Sequence, residues 1–153
     1  MKTRLKEESV LFVSVIKWLV LATVIGIIVG FSTAVFLKLL NWSTAFTGQF
    51  KWYFLLLPLA LPASALTVKY LAPEAEGQGT EKVIEAVHKR SGKMDAMAVP
   101  VKLVATIITL ALGGSAGKEG PCAQIGGGLA SVFADILKFA EIDRKKLVIC
   151  GIS

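Results

Sequence analysis

WLVLATVIGIIVGFSTAVFLKLL, Trp18 to Leu40, is the stretch whose reading decides the architecture. It carries a single charge, Lys38, close to its end. A bilayer hydrocarbon core about 30 Å thick takes roughly 20 apolar residues in helical form, and this block meets that length. An apolar run from Val10, interrupted by Lys17, leads into it and predicts a first membrane helix reaching Leu40. A cleaved signal peptide is the competing reading, and the small residues Ser43 and Ala45 do follow the block. The block is nevertheless much longer than an h-region of about 7–15 residues. Gly26 and Gly30 form GIIVG, a small-xxx-small pattern that lets helix backbones approach closely. It speaks for packing and says nothing about transport.

Residues 1–9 before this helix read as a short polar tail, with Lys2, Arg4 and Lys6 against Glu7 and Glu8. Basic residues flanking the first span place the tail on the cytoplasmic side. After the helix, NWSTAFTGQFKW (41–52) reads as a loop with Trp42 and Trp52 in an interfacial belt. A second apolar block runs from Tyr53 to Ala72 and contains Pro58 and Pro62. In a membrane bundle, neighbours can satisfy the carbonyls that such prolines free, so a kinked helix is expected.

The composition then changes. Residues 73–95, PEAEGQGTEKVIEAVHKRSGKMD, hold most of the acidic side chains. A helix is expected from about Thr80 to Arg90, with Thr80 as N-cap and Val83, Ile84 and Val87 as its apolar face. His88 lies on it, read as a solvated residue rather than a proton relay. A third apolar block, Ala96 to Leu112, is slightly short for a full span and runs into Gly113-Gly114-Ser115-Ala116-Gly117. A further helix is expected from Cys122 to about Ala140 with Pro121 in its first turn, and another from Leu147. The chain stops at Ser153 without a cap or polar tail, which suggests an end within an element.

The whole composition agrees with this pattern. Of the 153 residues, 54% are hydrophobic and only 18% charged, against about a quarter in soluble domains. The formal net charge of +6 would raise nucleic-acid binding in a soluble protein. Here the cations flank apolar blocks, and no aromatic-interleaved basic patch exists, so nucleic acid is set aside. Cys122 and Cys150 lack metal-ligand spacing and read as small buried hydrophobes, unpaired with each other. With one isolated histidine, no metal cluster and no nucleophile beside a base, an enzyme is not indicated, and no cofactor is implied.

GGSAGKEGPCAQIGGG, Gly113 to Gly128, carries the chemistry. It is a glycine-rich turn feeding a helix start between apolar blocks. Such a start exposes unpaired backbone N–H groups and the positive end of the helix dipole, which attract an anion. Glu119 at that position is costly in a membrane unless donors hold it. The same N–H groups could hold either an anion or this carboxylate. A carboxylate competing with an anion for one site is a gate that protonation opens. A capping glutamate in a loop outside the membrane is the other reading of these residues. A nucleotide P-loop is rejected: Leu112 stands where glycine is needed and Glu119 where Ser or Thr is needed.

GKEGP, 117–121, resembles the G-[KR]-E-G-P signature of the CLC chloride channel and transporter family, and Gln124-Ile125-Gly126-Gly127 matches its usual continuation. APEAEGQG, Ala72 to Gly79, resembles the stretch leading into that family's G-S-G-I-P motif. The resemblance implies an all-α polytopic membrane protein with an inverted-repeat fold and broken helices. This chain would supply most of the first half, residues 10–153 being the N-terminal part of the transmembrane domain. It further implies Glu119 as the gating glutamate, Lys118 in the family's basic position, and Gly117, Gly120 and Pro121 shaping the helix start. Gly77 and Gly79 correspond to the first motif's glycines. Gln78 replaces the serine that would coordinate the anion, and Thr80-Glu81 replace Ile-Pro, which leaves selectivity for chloride open. The implied partners are membrane lipid, a second copy in a homodimer, chloride or another small anion, and protons. The implied location is the cell (inner) membrane. The alternative is a split or truncated subunit that only assembles with another chain.

Overall fold

The computed structural model describes residues 2–153, with side chains from Leu11 onward, so the expected tail at 1–9 lies outside the fully described residues. Six α-helices make up the fold: α1 Lys2–Thr47, α2 Leu57–Leu71, α3 Gly79–Lys89, α4 Ala98–Ala111, α5 Glu119–Ile136 and α6 Glu141–Ile152. Short 3-10 turns at Tyr53–Leu56 and Pro73–Ala75 precede α2 and α3. Among the described residues there is no strand.

Two segments, Leu11–Thr47 and Tyr53–Leu71, are long and apolar enough to cross a membrane. In each, only 6% of the most apolar window is buried. That separates them from the core helix of a soluble protein, whose apolar face is covered. Leu11, Phe12, Leu19, Ile27 and Phe31 all stand outward on α1, as a helix solvated by lipid requires. Ala98–Ala111 is the shorter apolar helix that the third block anticipates.

α5 lies at the centre, packed against α1, α3, α4 and α6. Beside Gln124 and Ile125 its buried residues are all small: Gly126, Gly127, Gly128, Ala130, Ser131 and Ala134. Without side-chain bulk the backbones come together, and α5 meets α6 at Gly126 and Gly151. Ile25 of α1, Val83 and Ala86 of α3, and Leu147 and Val148 of α6 close one side of this core. Phe36 and Leu40 of α1 close the other side with Val99 and Ile125.

Several boundaries differ from the sequence reading. The loop expected at 41–52 is helical as far as Thr47. Thr44 and Thr47 return their hydroxyls to the carbonyls of Leu40 and Ser43, which keeps these polar residues compatible with a helix. Thr47 also donates to Ala111 O at the end of α4 (2.5 Å), which ties the extension down. α3 starts at Gly79 with Gln78, not Thr80, in the cap position, and no side chain caps it. Its covered face is Val83, Ala86 and Val87, while Ile84 is exposed. α5 starts at Glu119 and ends at Ile136, and α6 starts at Glu141, with Glu141 and Asp143 in a first turn that favours acids. Both cysteines are free, as expected, but Cys150 is exposed and not buried. His88 is exposed, its Nδ1 2.9 Å from Ile84 O, in line with a solvated residue.

Pro58 takes the first turn of α2 and Pro62 lies inside it. The two are four apart, so the carbonyl of Pro58 faces a residue with no N–H to donate.

Candidate functional site

Two chain segments far apart in sequence start helices at one place. Gln78 is the last non-helical residue before α3, and Lys118 the last before α5. The first intrahelical bonds are Lys82 N–H to Gln78 O and Cys122 N–H to Lys118 O. The N–H groups of Gly79, Thr80 and Glu81 on α3, and of Glu119 and Gly120 on α5, therefore have no intrahelical acceptor. Pro121 contributes none.

The contact between the two starts is direct. A Cβ built on Gly79 would lie 2.0 Å from the carbonyl oxygen of Gly120 and 2.9 Å from Gln124 Cβ. Only glycine allows that approach. Gly77, two residues earlier, has a φ of +79°, the left-handed region that glycine adopts without strain.

The starts open on a cavity of about 980 Å³. Gly77, Gln78, Gly79, Gly117, Glu119, Gly120 and Pro121 line it, so the structure brings together seven of the eight residues singled out from sequence. The eighth, Lys118, is exposed and outside the lining. Glu119 is also exposed in this chain, at the mouth and not in a sealed cage. α2 and α4 supply the remaining walls, with Ser64, Lys69, Lys102, Thr106 and Thr109 as polar contributors, and Glu76 before α3 adds a second carboxylate to the lining.

Lys102 is the functional candidate that motif reading missed. Its Nζ donates to Ala75 O (2.9 Å) and Gly77 O (2.7 Å), which pins the strand of backbone leading into α3. A lysine inside the apolar block from Ala96 to Leu112 is itself a signal, since such a charge needs partners in a membrane. Gln124 is the second. It is fully buried, its Nε2 donates to Glu74 O (3.0 Å), and its Oε1 has no partner. Glu74 in turn accepts from Arg90 and from Asp95 N–H (3.1 Å). Around Gly77 the backbone is thus held by side chains from α4 and α5 as well as by its own turn.

The arrangement can do one thing well. Two sets of unpaired N–H groups, carried by two helix dipoles and shaped by glycines, face one cavity with two lysines, Lys69 and Lys102, in its wall. Such an arrangement can hold a small anion; among the described residues no His/Cys/Asp/Glu cluster could hold a metal ion.

The sequence profile of the voltage gated chloride channel family matches residues 59–153, more than half of the chain. The chain belongs to this family. It is 29% identical over 152 residues to a "Chloride/fluoride channel protein" of Pseudomonas syringae pv. tomato, covering 99% of this chain and 33% of that protein. It is 30% identical over 139 residues to the "H(+)/Cl(-) exchange transporter ClcA" of Salmonella arizonae, covering 83% of this chain and 29% of that one. An uncharacterized protein of Methanocaldococcus jannaschii is 30% identical over 142 residues, 34% of its length. The chain thus spans about a third of the length of these relatives. No solved structure matches it. Membership of the chloride channel family confirms the all-α membrane reading, and the match takes in both glycine motifs.

Proposed function

We propose that the chain is the N-terminal part of the transmembrane domain, residues 10–153, of a protein that moves chloride or another small anion across the cell membrane. Channel conduction and exchange for protons are both served by one device, a carboxylate that competes with the anion. The observation that carries this reading is the meeting of the α3 and α5 starts, Gly79 against Gly120, on one cavity that Glu119 also lines. Backbone donors there can hold an anion or the Glu119 carboxylate, and protonation releases the carboxylate. Gln78, in the place of the family's serine, offers amide N–H donors to the same cavity.

The proposal includes membrane lipid as solvent, a homodimer of complete subunits, and no cofactor. The orientation follows from charge. Lys17 of α1 approaches Asp143 of α6 (3.7 Å), and Lys146 pairs with the same carboxylate, so the stretch of α1 just before its long apolar block and the start of α6 share a basic end. Lys17 and Lys146 also lie over the Trp18 ring, an interfacial arrangement. The excess of lysine at this end makes it cytoplasmic.

The test is flux. The complete protein reconstituted in liposomes should release chloride, and Glu119→Gln should remove most of the pH dependence of that release. No anion flux from the complete protein sinks the transport reading. An unchanged pH profile in E119Q sinks the gate and leaves transport standing.

A further inference from the structure

The α4 wall of the cavity holds a donor that neither glycine motif contains. Thr106 is buried, with 8% of its surface exposed, and it lines the cavity. Its neighbours use their hydroxyls internally: Thr109 donates to Ala105 O (2.9 Å) and Ser64 of α2 donates to the same carbonyl (3.1 Å). Thr23 and Thr67 elsewhere in the chain do likewise, to Leu19 O and Ala63 O. Thr106 makes no such bond; its hydroxyl has no hydrogen-bond partner among the described residues. Among the described residues the buried side-chain atoms sealed away without a partner are Gln124 Oε1 and Arg144 Nε; the Thr106 hydroxyl is not one of them, so it opens on the cavity and is free to donate to an acceptor bound there.

Position sharpens the point. Thr106 lies one helical turn beyond Lys102, so the two share a face of α4. Lys102 spends two of its three protons on Ala75 O and Gly77 O and forms no ion pair with a carboxylate among the described residues. This face therefore presents a hydroxyl donor and a positive charge to the cavity, across from the start of α5.

We infer that Thr106 is a direct ligand of the transported anion and sets which anion is preferred. The inference rests on the transport reading above. One hydroxyl donor gives a short, directional, charge-assisted hydrogen bond. It favours a compact, strongly accepting halide over a large, weakly hydrated anion such as thiocyanate. Lys102 acts on the anion through its charge and through the backbone it positions.

The experiment uses the complete protein and titrates chloride and thiocyanate separately. Thr106→Val keeps the shape and removes the donor; it should weaken chloride affinity roughly tenfold or more and leave thiocyanate nearly unchanged. Thr106→Ser restores the donor and should return chloride affinity to within about twofold of the parent. If T106V does not yield monodisperse protein, Thr106→Ala removes the hydroxyl with less steric demand and is read the same way. Unchanged chloride affinity in the donor-less variant overturns the assignment. So does a serine variant as impaired as valine, because packing and not donation would then be responsible. A parent protein that neither binds nor moves chloride fails the transport reading itself. A parent that does both, beside an unaffected T106V, fails only the role of Thr106.

Discussion

Before α3 the backbone is held from outside: Lys102 binds the carbonyls of Ala75 and Gly77, Gln124 binds that of Glu74, and Gly79 rests on Gly120. Before α5 residues 115–119 are all exposed and their side chains make no hydrogen bond among the described residues. The two starts face one cavity, yet one is clamped and the other is free. The difference separates two tasks. A binding site needs donors that do not move when the ligand arrives. The gate proposed for Glu119 needs a group whose position can change at low cost, and this residue sits on the free segment.

Gly79→Ala breaks the contrast most severely. Its Cβ would collide with the Gly120 carbonyl, so the two starts must separate. The expected cost is about 3 kcal/mol, read as a large fall in melting temperature in detergent together with loss of anion binding. Lys102→Met loosens the clamp without touching α5. It strands the carbonyls of Ala75 and Gly77 beside the cavity, where water replaces part of what is lost, at a cost of about 2 kcal/mol. Faster amide hydrogen exchange should then be confined to the approach to α3. Gly117→Ala is the counterpart on the free side. Nothing lies within 4 Å of an added Cβ there, and the melting temperature should stay within the range of a change of about 0.5 kcal/mol. A G117A variant as damaged as G79A would show that both starts are clamped, and the distinction would go.

The sequence made the apolar helices legible because lipid solvation leaves a blunt signal, a long run without charges. α1, α2 and α4 were readable on that ground. The site was legible because glycines at a helix start beside a lone glutamate have few structural uses. The ends of elements were not. Asn41 to Thr47 look like a loop by polarity, yet hydroxyl bonds to their own carbonyls make them helical. Ile84 fits an apolar face by type, but the turn of α3 points it outward. Thr106 looks like any helical threonine, and only its buried place in the cavity wall, with a hydroxyl not spent on Ala105 O as those of Thr109 and Ser64 are, sets it apart. Lys102 was visible as a charge within an apolar block, but its acceptors are carbonyls, which no side-chain motif records.

One consequence follows from the lengths of the helices around the cavity. α3, α4 and α5 have 11, 14 and 18 residues. At 1.5 Å per residue they rise about 17, 21 and 27 Å, each less than the hydrocarbon thickness of about 30 Å. In the proposed transport protein, a site walled by helices this short lies where water can approach it part of the way. An electric field across the membrane is then concentrated in the thin dry layer that remains, and not spread over the whole bilayer. A unit charge crossing the full potential gains about 2.3 kcal/mol per 100 mV. On the proposed reading, an anion or the Glu119 carboxylate moving across that layer would sample much of that energy within a few ångströms.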